Sequence, residues 1–248
     1  ELLAGARPRR EDFRYYSYLP YITRQYMGEG WALLGDAAAF LDPYYSPGLD
    51  HAAFTAEATA AIVIAQANDE DIADRVTEHN LAFVRSYHRF FKAIYRDKYF
   101  YMGEHDLLSA SMLLDTAQYY IFLVIPAYRF RGRFDWMPVL GPKGAFVNYY
   151  LMQLYHRRFK RLALARRAMG EAGRRNHGRR ITAYFALDTA AVRMAGKGVR
   201  IWLTAELDYA RLFVKALLQG RSLRRAIRAL EPVPESAGAL AAEPERTA

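Results

Sequence analysis

The chain has 248 residues, of which 52% are hydrophobic and 15% aromatic, and its formal net charge is +9. This apolar content excludes a globally disordered chain and suits one or two packed domains. The absence of cysteine excludes a disulfide scaffold, a thiolate metal site and a cysteine nucleophile. The chain opens on Glu1 without a signal-peptide pattern, so we expect a processed protein or the C-terminal part of a longer one.

Two short strand patterns occur near the start of the chain. Phe13 to Leu19 is rich in tyrosine and alternates weakly, and the apolar run Trp31 to Leu34 stops at Gly35. A continuous apolar run of this length is typical of a buried strand. The sequence therefore predicts a small β element in this region.

From Gly48 onward the sequence is typical of helices. Phe83, Tyr87 and Phe91 recur at four-residue steps, which places them on one face of a long helix. Breakers and helix-capping residues divide the region into seven predicted helices: 52–67, 69 or 71 to about 101, 106–128, 146–169, 181–194, 199–218 and 222–230. Residues 231–248 contain three prolines and little to bury, which predicts a disordered tail.

Leu107 to Ala127 is long enough to span a bilayer and carries a single charge, Asp115. An aspartate at the centre of a membrane helix costs about 2.5–3.5 kcal/mol, and four further polar residues lower the hydropathy of this stretch. The sequence therefore predicts a buried or interfacial helix rather than a membrane-spanning one, and it leaves peripheral membrane contact open.

The positive charge is concentrated in one region. Arg157 to Arg228 contains 19 Lys and Arg against 4 Asp and Glu, a net +15, whereas the remainder has 16 against 22, a net −6. Such asymmetry indicates an anionic membrane or a phosphorylated or carrier-bound substrate as partner, or else solvated helix faces. We recognise no nucleic-acid-binding module and predict no nucleic-acid partner.

The stretch from Trp31 to Glu57 carries the features that indicate ligand binding. Gly35 ends the apolar run, and a residue without a side chain lets a ligand approach the backbone closely. Asp36 follows at once, and its carboxylate suits the hydroxyl groups of a sugar-like chain. Asp42-Pro43 turns the chain, and Ser46-Pro47-Gly48 opens a helix whose first N–H groups favour negative charge on a ligand.

These residues, Gly35-Asp36-Ala37-Ala38 followed by Asp42-Pro43 and Ser46 to Gly48, resemble the second flavin-binding motif of several FAD-dependent enzymes. The motif occurs in FAD-dependent monooxygenases, flavin-dependent halogenases and geranylgeranyl-reductase-like enzymes, and the halogenase-like branch is the most similar. The resemblance covers roughly the first 65 residues, and the agreement of many positions in order and spacing makes it fairly specific.

The resemblance implies a role for each matching residue. Gly35 and Asp36 would lie at the ribityl or pyrophosphate side of FAD. Pro43 and the turn from Ser46 through Pro47 and Gly48 to Leu49 would lie against the isoalloxazine, with the helix N-terminus directed at the flavin. No catalytic residue is assigned. His51 lies near the expected flavin edge, or it is only a polar residue at a helix start. The six histidines show no metal-ligand spacing, so we predict no metal site.

Three departures from the family pattern limit what the resemblance implies. Tyr45 stands where tryptophan halogenases have a catalytic Glu, and Pro47 has no N–H to offer a halide. Tryptophan-type halogenation is therefore disfavoured, whereas hydroxylation, other halogenation, dehydrogenation and double-bond reduction stay open. The glycine-rich turn that seats the ADP half of FAD is also absent. We therefore expect the chain to lack an N-terminal Rossmann-like region that the flavin needs.

Together these observations predict a mainly α chain with a small β element. It would be the C-terminal portion of an FAD-binding α/β fold of the glutathione-reductase type, followed by a helical region. The expected divisions are 1–68 for a partial FAD-binding domain, 69–230 for a helical domain and 231–248 for the tail. The predicted function is that of a cytoplasmic FAD-dependent oxidoreductase acting on an organic small molecule, aromatic or carrier-bound. The alternative is a non-enzymatic helical protein that binds an anionic membrane or a partner through its basic 157–228 region.

Overall fold

The computed structural model describes residues 19–44, 47–129, 144–176 and 191–231, together with Gly5 and Arg7. Helix accounts for 73% of these residues, and the strands are few and short, so the predicted mainly α class with a small β element is confirmed. The described residues form two compact units, one up to Phe91 and one from Lys92 onward. The predicted domain limits at 1–68 and 69–230 stay predictions, and the predicted tail beyond Glu231 lies outside the described residues.

Four two-residue strands occur in the described part of the first unit: β1 Tyr21–Ile22, β2 Met27–Gly28, β3 Trp31–Ala32 and β4 Ala39–Phe40. β1 pairs antiparallel with β4, and β2 pairs antiparallel with β3. The predicted strand from Phe13 to Leu19 lies outside the described residues except for Leu19, which is not part of a strand. The β element is therefore two small antiparallel ribbons.

The prediction of a buried strand over Trp31 to Leu34 is wrong. β3 has only two residues, and the side chains of Trp31 and Leu34 are 45% and 42% exposed. Gly30 adopts φ +73°, which reverses the chain so that β3 folds back onto β2. A ribbon of two strands leaves much of its surface uncovered. The Trp31 indole lies over Gly28 instead, so close that a methyl group added to Gly28 would lie 2.7 Å from the indole.

Two helices complete the described part of the first unit: α1 Pro47–Ala67 and α2 Ala73–Phe90. The Asp71 side chain accepts a hydrogen bond from the backbone N–H of Ala73 at 3.0 Å, which begins α2 as the sequence predicted. From within α2, Asn80 accepts from the backbone N–H groups of Tyr26 and Met27 at 2.7 and 2.9 Å. Its amide also donates to the Met27 carbonyl at 2.9 Å, so this one side chain provides hydrogen-bond partners for backbone groups at the edge of β2.

The described residues of the second unit form helices joined by turns, with no strand among them. Its elements are α3 Arg96–Lys98, α4 His105–Tyr119, α5 Ile125–Arg129, α6 Gly144–Ala168, α7 Ala191–Leu218 and α8 Leu223–Leu230. A π-helical turn, Tyr120–Val124, joins α4 to α5, and another, Phe91–Tyr95, joins α2 to α3. Ser222 caps α8 by accepting from the Arg225 N–H. Buried apolar side chains of α6, α7 and α8 form one core cluster, and those of α4 and α7 form another.

The predicted break between a helix over 181–194 and a helix over 199–218 is wrong. Residues 177–190 lie outside the described residues, but α7 runs unbroken from Ala191 through Gly196 and Gly198. A methyl group on Gly198 would lie 2.8 Å from Leu114 Cγ and 3.2 Å from the Ala110 carbonyl oxygen. Gly198 therefore allows α7 to approach α4 closely instead of ending a helix.

The apolar helix noted in the sequence extends from His105 to Arg129, through α4, the π-helical turn and α5. It is long and apolar enough to cross a membrane, and half of its most apolar 18-residue window is buried inside the second unit. Leu107, Ala110 and Ala117 are almost fully buried, as expected of a core helix.

Candidate functional site

The residue pair Gly35-Asp36 lies in a short 3₁₀ turn, Gly35–Ala37, held against α1. Gly35 is buried with φ +51°, and its N–H donates to Thr55 Oγ1 at 3.0 Å. A methyl group on Gly35 would lie 2.9 Å from the Cβ of Ala52. Both the positive φ and the contact with α1 require glycine, so the close approach that the sequence indicated is to a helix of the same unit.

Asp36 and the first turn of α1 lie side by side. The Asp36 side chain is exposed, and its Oδ1 lies 3.4 Å from the position that a Cβ would take on Gly48. The Asp36 carbonyl accepts a hydrogen bond from the Tyr21 hydroxyl, which fixes the backbone of the turn. The structure therefore brings together the two groups that the sequence predicted to meet, a carboxylate and a helix N-terminus.

His51 lies in the first turns of α1, close enough to Asp36 for the carboxylate to act on its imidazole electrostatically. Burial lowers the pKa of His51, and the Asp36 carboxylate acts in the opposite direction. The Nε2 atom of His51 lies 3.2 Å from the hydroxyl of Tyr26, a fully buried residue whose pKa burial raises well above its usual value. Tyr26 is stacked on Phe83, with ring centroids 5.6 Å apart. His51 is thus a positioned imidazole whose neutral form is favoured.

The other residues implied by the flavin resemblance are in part exposed and in part outside the described residues. Pro43 is exposed and follows Asp42, whose side chain accepts from the Tyr44 N–H at 2.8 Å. Leu49 is 78% exposed. Pro47 is the first residue of α1, and Ser46, like Tyr45, lies outside the described residues. The geometry of the predicted isoalloxazine side is therefore known only from Pro43 and from α1.

Sequence reasoning missed a buried polar cluster in the second unit, centred on Asp115 of α4. The Lys98 ammonium lies 2.6 Å from Asp115 Oδ2, and the Ser111 hydroxyl donates to the same oxygen at 3.0 Å. Asp115 Oδ1 accepts from the Tyr155 hydroxyl and lies 3.1 Å from His156 Nε2. The detectable signal was Asp115 itself, because a lone charge within an apolar helix needs a partner when it is buried.

Electrostatics within this cluster favour an ionised aspartate. Burial alone would raise the pKa of Asp115, but the Lys98 and His156 side chains hold it well below its usual range. Burial lowers the pKa of His156, although Asp115 opposes that effect. The hydroxyl of Tyr101 lies 2.5 Å from His156 Nδ1 and donates to Ser111 Oγ at 2.9 Å. The side chains that surround Asp115 are buried, which indicates a structural role for the cluster. The network is not fully satisfied, because His156 Nε2 makes no hydrogen bond with the described residues.

Most of the basic side chains in the middle of the predicted 157–228 surface are engaged in ion pairs. The pairs are Arg158 with Glu206, Lys160 with Asp97, Arg166 with Glu104, Asp106 and Asp208, Arg175 with Asp106 and Asp208, Arg211 with Asp208, and Arg174, Arg211 and Lys215 with Glu171. Arg166 is almost fully buried, so this set ties helices together. Only Asp97, Glu104 and Asp106 come from outside the 157–228 stretch, and these three carboxylates lower its net charge from +15 to +12.

No protein-family model, no curated protein and no solved structure matches this chain. The residues and their geometry are therefore the basis for any functional assignment.

Proposed function

We propose that this chain is the flavin-facing part of an FAD-dependent oxidoreductase of the monooxygenase or halogenase-like type, acting on an organic small molecule. The observation that carries the proposal is the juxtaposition of Asp36 with the first turn of α1, measured by the 3.4 Å between Asp36 Oδ1 and the Cβ position of Gly48. An exposed carboxylate can accept hydrogen bonds from a polyol chain, and unpaired N–H groups at a helix N-terminus favour negative charge on a ligand.

The chain's own residues suit different parts of such a ligand. Asp36 would receive the ribityl hydroxyls, and the backbone N–H groups of Gly48 and Leu49 would face the electron-accepting end. Pro47 has no backbone N–H, so the N–H of Gly48 is the first that α1 can donate to a ligand. A bound flavin would supply the redox chemistry, and the protein would supply binding, orientation and electrostatics.

His51 is the side chain best placed to act beside such a ligand. In its neutral form it offers one hydrogen-bond donor and one acceptor, and the Tyr26 hydroxyl at 3.2 Å limits how the ring can turn. A lowered pKa keeps most of the imidazole neutral at pH 7. Tyr45 and Pro47 disfavour tryptophan-type halogenation, which leaves hydroxylation, other halogenation, dehydrogenation and double-bond reduction as the candidate reactions.

A binding experiment with FAD, FMN and ADP tests this proposal. The chain contains the motif for the flavin and ribityl side but no glycine-rich turn for the ADP half, so we expect weak binding of FAD and FMN with similar affinity. ADP should not compete. Fluorescence anisotropy of the flavins at high protein concentration measures both affinities, and tight stoichiometric FAD binding would contradict the expectation.

Asp36→Asn and a matched control identify the site. A hydrogen bond to a charged group contributes about 1.5–3 kcal/mol, so Asp36→Asn should weaken FMN binding about tenfold or more. Asp74→Asn removes another exposed carboxylate from the first turn of a helix, α2, and should leave the affinity unchanged. Equal flavin affinities of the two variants, or competition by ADP, would refute the proposal.

The alternative function predicted from charge receives less support. A basic 157–228 surface would need its cations exposed, whereas Arg158, Lys160 and Arg166 are held by carboxylates. Other cations of the same stretch, including Lys197 and Arg200, are exposed, so carboxylates engage only part of the predicted basic surface.

A further inference from the structure

One end of the helical unit is defined by the directions of three helices. Gly198 of α7 lies against Leu114 and Ala110, whereas Met194, nearer the start of α7, belongs to the cluster that contains Ala117. α7 is therefore antiparallel to α4. Tyr155 of α6 bonds Asp115, and Arg166, further along α6, reaches Asp106, so α6 is also antiparallel to α4.

The end of α4, the whole of α5 and the starts of α6 and α7 consequently lie at the same end of the unit. We call residues 119–129, 144–157 and 191–203 the apolar–basic end. These three described ranges contain five Lys and Arg and no Asp or Glu. The carboxylates that pair with Arg166, Arg211 and Lys215 lie towards the opposite end.

The apolar–basic end also exposes large apolar side chains at helical spacing. On α6, Phe146, Tyr150 and Leu154 follow each other at four-residue steps and are 56%, 53% and 60% exposed. On α7, Val192 is 78% exposed and Leu203 60% exposed. Exposed apolar side chains at regular helical spacing mark an interaction surface, and the excess of Lys and Arg over Asp and Glu in these ranges favours an anionic partner.

We propose that the apolar–basic end docks onto an anionic phospholipid bilayer. Aromatic and aliphatic side chains would enter the headgroup and acyl boundary, while Lys197 and Arg200, both exposed, would meet lipid phosphates. A second copy of the chain is a poorer occupant, because a symmetric pairing through this end would place like charges opposite one another.

Vesicle sedimentation tests the docking surface. Wild-type chain should sediment with phosphatidylcholine vesicles that contain phosphatidylglycerol, and much less with phosphatidylcholine alone, at about 0.1 M salt. Lys197→Glu with Arg200→Glu should lower the partition coefficient about tenfold or more, since each basic residue near the surface contributes to binding. Tyr150→Ser with Leu154→Ser should lower it as well, through the loss of inserted apolar area.

The matched control is Arg224→Glu with Arg225→Glu, which makes the same charge change on exposed residues of α8. α8 packs on the Leu164 end of α6, away from the apolar–basic end, so this variant should bind within about twofold of wild type. Circular dichroism and thermal melting check that each variant is folded. The proposal is overturned if wild type does not bind phosphatidylglycerol vesicles, or if the two charge-reversal variants lose binding equally. It is also overturned if the apolar–basic end mediates a dimer and the chain does not bind vesicles. FAD or FMN affinity is measured separately and does not enter this result.

Discussion

Replacing Gly35 by alanine tests whether the Gly-Asp turn is shaped by its contact with α1. Gly35 has φ +51°, and a left-handed backbone costs a non-glycine residue roughly 1–2 kcal/mol. The added methyl group would also lie 2.9 Å from the Cβ of Ala52, closer than carbon atoms normally approach. Overpacking of this kind costs about 1–3 kcal/mol, so we expect Gly35→Ala to destabilise the first unit by about 2–5 kcal/mol.

Gly30→Ala is the matched control, because it separates backbone strain from crowding. Gly30 also has a positive φ, +73°, but a methyl group on it would meet nothing within 4 Å. We therefore expect a loss of only about 1–2 kcal/mol for Gly30→Ala. The extra loss in Gly35→Ala measures the contact between the turn and α1.

Urea unfolding followed by Trp31 fluorescence measures both changes in the first unit. Trp136 and Trp202 are replaced by phenylalanine in the reference protein and in both variants, so that Trp31 is the only tryptophan in each protein. The free energy of unfolding follows from the midpoint and the slope. Equal losses in the two variants would refute the reasoning, because they would show that the methyl group at Gly35 meets no resistance from α1.

Two further predictions concern charges in the second unit. Lys98→Met leaves the buried Asp115 without its cation and should destabilise the protein by about 3–5 kcal/mol in urea unfolding, whereas Lys98→Met with Asp115→Leu should recover most of that loss. A loss in the double variant as large as in the single one would contradict this. Hydrogen bonds from Arg211 lower the pKa of Glu171 to about 2 from its ordinary 4.5, against the opposing effect of burial. The stabilisation by Glu171 is therefore complete above about pH 4.5 and is lost as the pH falls towards 2, so Glu171→Gln should reduce the melting temperature at pH 7 but scarcely at pH 2.

The sequence predicted the parts of the candidate site that depend on neighbouring residues in the chain. Asp42 caps its own turn, and α1 begins at Pro47 because proline is favoured in the first helical turn. The contact between Asp36 and Gly48 could also be expected, since few residues separate the turn from the helix. The exposure of Trp31 could not be expected from the sequence, because it depends on whether other strands cover the ribbon.

The glycines of α7 show most clearly what local sequence patterns cannot predict. The predicted helices 181–194 and 199–218 leave Gly196 and Gly198 between them, whereas the structure places both glycines within α7. Gly196 is exposed and a methyl group there would meet nothing within 4 Å, whereas Gly198 lies against Leu114. The two positions look alike in the sequence, and only the approach of α4 distinguishes them. A glycine in a helix pattern therefore indicates either a helix end or a close helix contact, and packing decides which.

The charge asymmetry of the sequence has a different meaning in the folded chain. Acidic residues from the negative part of the sequence, Asp97, Glu104 and Asp106, pair with Lys160 and Arg166 from the positive part. Ion pairs between the negative and the positive part of the sequence thus hold α3, α4 and α6 together. Because these pairs neutralise the middle of the basic stretch, a partner that recognises positive charge is expected where the carboxylates are lacking. Two described regions meet that condition, the apolar–basic end and α8, which carries the exposed Arg224 and Arg225. We favour the apolar–basic end because its cations share that end of the unit with exposed aromatic and aliphatic side chains, a combination that suits a lipid surface.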